Sequence, residues 1–156
     1  MELKYKISVA VVGSRNFTDE ELAFKILGDM LHKIGKIVSG GAKGADSIGR
    51  KFAEKHGIEI QEFIPDWSKG RSAGIERNAD IVEAAGLVIA FWDGVSPGTK
   101  NTIERTIRAK KPLMIVCPEE EIKDRFILNW LKKNKSSSIT RLTQSELSFS
   151  NKTNDK

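Results

Sequence analysis

The stretch "KIVSGGAKGADSIGRKFAEKHGIEIQEFI", residues 36–64, decides the fold. It opens on a short β-branched run, "KIVSG" (36–40), that predicts a strand. A glycine turn follows, then a helical segment over 45–56, then "IEIQEFI" (58–64), whose alternation predicts a half-exposed or edge strand. Two strands joined through a helix of that length lie parallel in one sheet. Gly40, Gly41 and Gly44 crowd the turn, where φ > 0 and a close approach of another group are open only to glycine.

The same unit repeats outward in both directions. "KISVAVVG" (6–13) predicts a buried strand stopped by Gly13. "TDEELAFKILGDMLHKI" (18–34) predicts an amphipathic helix with Thr18 as N-cap and acids in its first turn. Beyond 64 come a polar loop (65–72), a helix (73–85), the strand "GLVIAFWD" (86–93), a loop (94–98), a helix (99–110) and the strand "PLMIVC" (112–117). Five strand–helix alternations predict an α/β domain with a mainly parallel sheet and helices on both faces. The loops after the strand C-termini then gather on one edge, where a ligand belongs. "EEEIKDRFILNWLKK" (119–133) predicts a last helix, closing a domain over 1–134. From 135 to 156 the composition turns polar, and this tail is expected to be weakly ordered.

The 156 residues suffice for one domain with a real core. No apolar run approaches the roughly 18 residues that span a bilayer. The N-terminal run is short and passes straight into the first strand, so no membrane partner and a cytoplasmic setting are expected. Cys117 is the sole cysteine and closes an apolar run, which excludes an internal disulfide and predicts strand packing. His32 falls mid-helix and His56 at a helix end, and no metal-ligand spacing or Ser/His/Asp constellation emerges. The net charge of +5 is spread along the chain, whereas a dedicated nucleic-acid binder usually shows a clustered stripe.

Four loops project from the predicted edge: "GSRNFTD" (13–19), "SGGAKGAD" (39–46), "PDWSKGRSAGIERN" (65–78) and "FWDGVSPGTKNT" (91–102). They carry Arg15, Lys43, Lys69, Arg71, Arg77 and Lys100 against Asp19, Asp46, Asp66 and Asp93, a balance suited to an anion. In the second loop, backbone N–H groups can converge on a phosphate at a helix's positive end, or the loop can be a tight turn facing nothing. "SPGTKNT" repeats that arrangement with Gly98, Thr99 and Thr102, Thr99 being either an anion ligand or an N-cap. Trp67 and Trp92 can each stack on a base or pack in the core. Arg77 and Asn78 sit one turn into their helix, within reach of the cleft.

Together these four motifs resemble the YspA (cpYpsA-related) branch of the SLOG superfamily, which also holds the Lonely Guy enzymes and the DprA/Smf proteins. The likeness runs over roughly residues 7–116. It implies a Rossmann-like three-layer α/β/α sandwich with a pocket for a nucleotide or nucleotide-derived ligand. It also implies site residues at Gly13, Ser14 and Arg15, at Ser39, Gly40, Gly41, Gly44 and Asp46, at Arg77 and Asn78, and at Gly98, Thr99 and Thr102. The Lonely Guy enzymes cleave a nucleotide's N-glycosidic bond with an arginine and a glutamate. Arg77 matches the arginine, but Thr102 stands where the glutamate belongs.

The leading expectation is therefore a sensor or carrier of a small nucleotide derivative, such as an ADP-ribose-like or cyclic nucleotide molecule. Its binding set would include Lys43, Asp66, Trp67, Arg71, Trp92 and Asp93 besides the residues above. One alternative is a phosphoribohydrolase-like hydrolase working through Arg77 with Asp46, Asp66 or Asp93. The other is a DprA-like binder of single-stranded nucleic acid, using Trp67 and Arg71. Resemblance to self-associating relatives implies a homo-oligomer.

Overall fold

A computed structural model of the chain describes residues 5–134 and 140–142. Six strands form one parallel sheet: β1 (Ile7–Gly13), β2 (Ile34–Ser39), β3 (Glu59–Glu62), β4 (Leu87–Phe91), β5 (Leu113–Pro118) and β6 (Thr140–Leu142). Their spatial order is β3-β2-β1-β4-β5-β6. Five helices connect them: α1 (Glu20–Asp29), α2 (Ala45–His56), α3 (Ser72–Ala84), α4 (Pro97–Arg108) and α5 (Arg125–Lys133). This is the Rossmann-like three-layer arrangement.

The two central strands are covered on both faces, which is why they read as unbroken apolar runs. Val9, Ala10, Val11 and Val12 of β1 and all of Leu87–Phe91 in β4 are buried. One face packs Ala23 and Leu27 of α1 and Ile48 and Phe52 of α2 against Val9, Val11, Ile37 and Ile89. The other packs Ile81 of α3, Ile103 of α4 and Ile127 and Leu131 of α5 against Ala10, Val88, Ala90 and Ile115. β3 lies at an edge and keeps its alternating polar residues half-exposed or exposed.

Element ends differ from the sequence expectation in instructive ways. α1 is capped by Asp19, whose carboxylate accepts from Leu22 N at 3.0 Å, so Asp19 takes the place expected of Thr18. The helix stops at Asp29, and a 3-10 turn over Leu31–Lys33 leads into β2. Ile34, counted above as helical, pairs with Ile7 in the sheet. The predicted last helix is likewise shorter, since Asp124 caps α5 through Ile127 N at 2.9 Å. Thr140–Leu142, placed in the weakly ordered tail, pairs in parallel with β5 from Val116 to Pro118. The rest of 135–156 lies outside the described residues.

Lys111 closes α3 from a distance. Its ammonium donates to Val82 O at 2.7 Å and to Glu83 O and Ala85 O at 2.9 Å each. A cation thereby sits on the carbonyls at the negative end of the helix dipole. Lys111→Met is expected to lower unfolding stability by about 2 kcal/mol. Urea denaturation measures this, and an unchanged midpoint would show that the three bonds are silent.

Candidate functional site

β1 has β2 on one side and β4 on the other, so successive connections diverge at its C-terminal end and leave a crevice there. A cavity of about 480 Å³ occupies that crevice. Its floor is where β1 and β4 end. Ser14 N donates to Phe91 O at 2.9 Å, and Asp93 N donates to Ser14 Oγ at 3.1 Å, so the two strand ends are tied together. Gly13, Ser14, Arg15, Asp46, Arg77, Asn78, Asp93, Gly98, Thr99 and Thr102 all line it. Four separate loops thus deliver ten of the sequence candidates to one place.

The glycine turn is built differently from a phosphate cradle. Gly40 N and Ala42 N both donate to Asp46 Oδ2, at 3.1 and 3.3 Å. Gly41 N donates to Ser39 Oγ at 3.1 Å, and Ala45 N to Ser14 O at 3.3 Å. Three consecutive amides, 40 to 42, are therefore spent inside the turn, and Asp46 already offers a carboxylate to the first turn of α2. The glycines serve this compact geometry. A Cβ on Gly40 would strike Arg77 Nη1 and come within 2.8 Å of Asp46 Oδ2. Gly44 holds φ = +76°, and its Cβ would meet the carbonyl oxygen of Arg15 at 2.6 Å. Ser39, Gly40, Gly41, Lys43 and Gly44 accordingly stand behind or beside the cavity wall, and Lys43 is exposed.

Arg77 is fixed by this turn. Its Nη1 donates to Gly40 O at 2.6 Å and to Phe63 O at 3.3 Å, and its Nε donates to Asn78 Oδ1 at 3.2 Å. Burial, together with the charge of Arg15, pulls its pKa below the ordinary value against the attraction of Asp46. Arg15 and Arg77 both line the cavity, and two guanidinium groups at one site favour an anion there. Asn78 ties α3 to α4, its Nδ2 donating to Gly98 O at 3.3 Å and Asn101 Oδ1 at 3.2 Å.

The N-terminus of α4 faces the cavity with Gly98 and Thr99. Pro97 occupies the first turn, no acid lies there, and Ser96 supplies no side-chain cap. Asp93 shapes the turn just before it, accepting from Val95 N at 2.9 Å, Ser96 N at 2.8 Å and Ser96 Oγ at 2.7 Å. Burial works against its charge, yet those hydrogen bonds hold its carboxyl below the usual range. Thr102 Oγ1 donates back to Gly98 O at 3.3 Å.

Other candidates are placed elsewhere. Trp92 is fully buried beneath the site, its Nε1 donating to Ser96 O at 3.1 Å, so it cannot stack on a ligand. Asp66 caps the 3-10 turn at Trp67–Lys69 and lines a separate groove of about 360 Å³ that meets the first across Arg77. Trp67 is 56% exposed, against Gly74, and Arg71 is exposed outside both cavities. Cys117 is buried, and burial together with nearby acids pushes its thiol up to about 12. Asn16, Ile81 and Ser96 line the cavity and escaped the sequence reading. For Asn16 the signal was its place in "GSRNF", one residue beyond the arginine that was selected. No group of metal-ligating side chains occurs among the described residues, and none of their helices is long and apolar enough to cross a membrane.

Fold and cavity define the class: a Rossmann-like α/β domain whose switch-point cavity is lined by Arg15 and Arg77 together with Asp46 and Asp93. Residues 7–70 match the model of the YspA, cpYpsA-related SLOG family, the one its motifs resemble. Among solved structures, DNA processing protein A (DprA) from Streptococcus pneumoniae is similar with a TM-score of 0.67 and 20% identity. The likeness covers 94% of this chain, which spans 63% of that protein's chain. DprA from Helicobacter pylori is similar with a TM-score of 0.57 and 18% identity, over 86% of this chain and 75% of that one. The structure of the latter was described for its single-stranded DNA binding mode. No curated protein matches the chain.

Burial raises the Asp46 carboxyl from 3.8 to about 6, against the Ala42 amide, Arg77 and the Gly40 amide. Between pH 4 and 6 the folded chain keeps a proton that the unfolded chain has lost. Stability from this group therefore falls as pH rises through that window, by about 3 kcal/mol in all, and is level above it. Asp46→Asn keeps an acceptor oxygen and removes the titration. Urea denaturation at pH 4 and 7.5 is expected to show the variant gaining on the parent chain as pH rises. A constant difference between them would contradict this.

Proposed function

We infer that the chain binds a nucleotide or nucleotide-derived phosphate ligand in the switch-point cavity, as a sensor or carrier. The observation that carries this reading is the meeting of Arg15, Arg77 and the acid-free N-terminus of α4 at one cavity. Backbone N–H groups at a helix start favour an anion, and arginines match phosphate oxygens. The volume falls in the ordinary range for small-molecule sites.

Binding without hydrolysis is favoured by the state of the carboxylates. Asp46 and Asp93 each hold two backbone N–H groups, and Asp66 holds Ser68 N and Ser68 Oγ in the other groove. Asp93 is held ionised below the usual carboxylate range, which suits it poorly to proton transfer, and Asp46, raised to about 6, spends its Oδ2 on closing the turn. The uncharged Thr102 stands at the position the Lonely Guy pattern gives to glutamate.

A second reading, single-stranded nucleic acid, is favoured by the exposed Trp67 near Lys69 and Arg71 in sequence, and by the likeness in fold to the Helicobacter pylori protein, whose structure was described for its single-stranded DNA binding mode. An indole on the surface offers a stacking platform. Oligomeric state also belongs to this proposal, with a homo-oligomer as the expected form.

Calorimetric titration with pyrophosphate, ADP and ADP-ribose tests the first reading. Arg15→Met is expected to weaken all three about tenfold or more while leaving the melting temperature in place, because Arg15 is exposed. No binding at millimolar ligand would overturn it. An oligo-dT shift at physiological salt that is lost in Trp67→Ala would establish the second reading.

A further inference from the structure

The polar side chains of the cavity are unequal in how far they are already engaged. Asp46 and Asp93 hold backbone amides, Ser14 Oγ holds Asp93 N, and Asn78 bridges to Gly98 and Asn101. Asn16 stands apart. Its Oδ1 is buried and, among the described residues, is the one such side-chain oxygen with no hydrogen-bond partner, although Asn16 itself lines the cavity.

A buried carboxamide oxygen without a donor is unfavourable, and rotation about the last torsion of asparagine is soft. Turning the carboxamide toward the cavity exchanges this unsatisfied contact for one with whatever lies there. Arg15 and the α4 N-terminus suit the charged end of a ligand. Asn16 is neutral and suits an O–H or N–H donor on the uncharged part.

We propose that Asn16 reads the nucleoside portion of the ligand, its carboxamide turning from the wall to accept a hydrogen bond from a sugar hydroxyl or a base amino group. The inference rests on the nucleotide reading of this cavity and names the residue that separates a nucleotide from a bare phosphate. It requires no covalent step and no group from outside the chain. The phosphate end and the nucleoside end are then recognised by different residues, so they are separable by substitution.

The test is titration of the parent chain and Asn16→Leu, an apolar near-isostere, with AMP, GMP, IMP, the 2′,3′-dideoxy form of each, and pyrophosphate. The parent is expected to bind AMP or GMP at least tenfold more tightly than pyrophosphate. It should lose about tenfold either with the dideoxy forms, which assigns the sugar, or with IMP, which assigns the amino group. Asn16→Leu is expected to bind the preferred nucleotide about tenfold more weakly, to lose that discrimination, and to keep its pyrophosphate affinity with a melting temperature no lower than the parent's. Asn16→Ala gives the same pattern if leucine disturbs the loop. Discrimination retained in both variants overturns the proposal. A parent chain that binds nucleotide no better than pyrophosphate also overturns it, while leaving the anion site standing; failure to bind pyrophosphate as well removes the site itself.

Discussion

One carboxylate organises the functional edge. Asp46 Oδ2 receives Gly40 N and Ala42 N, and this closes the turn between β2 and α2 into a compact knot. The closed turn presents the Gly40 carbonyl to Arg77, which is held there at 2.6 Å. The guanidinium of Arg77 then forms the wall shared by the main cavity and the neighbouring groove. A residue on α2 thus sets the position of a residue on α3 through the backbone of a loop. The arrangement asks for glycine at 40 because Arg77 and Asp46 fill the space that a side chain would take.

With amides 40 to 42 and 45 engaged inside the second loop, the proposed anion site lies across the crevice. α4 begins without an acid and without a side-chain cap, and its first residues face the cavity. Arg15 stands at the end of β1, and Ser14 joins that strand end to Asp93 at the end of β4. The sheet order accounts for this meeting, because only at the β1–β4 boundary do the two halves of the chain leave in opposite directions. Charge at the site follows from the fold, and the selectivity of any ligand from the few side chains left uncommitted.

Much of this was legible in the residues. Unbroken apolar runs at 9–12 and 87–91 marked the central strands because both their faces are covered. Ten of the loop positions line one cavity, since parallel sheets bring their C-terminal loops together. What escaped was the partner of each group. Whether a glycine turn aims its amides outward or at its own aspartate depends on a side-chain rotamer, and the sequence does not show that Asp46 receives two of them. Trp92 was ambiguous for the same reason, as its indole found Ser96 O in the interior. Ile34 kept the helical period of α1 by coincidence, and its pairing with Ile7 is a long-range fact. Thr140–Leu142 carries too little apolar character to announce a strand, and β5 supplies the template.

The central claim is that an anion is received by the start of α4 with Arg15 and Arg77, and not by the glycine turn. Backbone amide chemical shifts during a pyrophosphate titration test this at the level of single N–H groups. The account predicts the largest saturable shifts at Arg15, Gly98 and Thr99, with Gly40 and Ala42 nearly unmoved. Dominant shifts at Gly40, Gly41 and Ala42, with α4 silent, would contradict it.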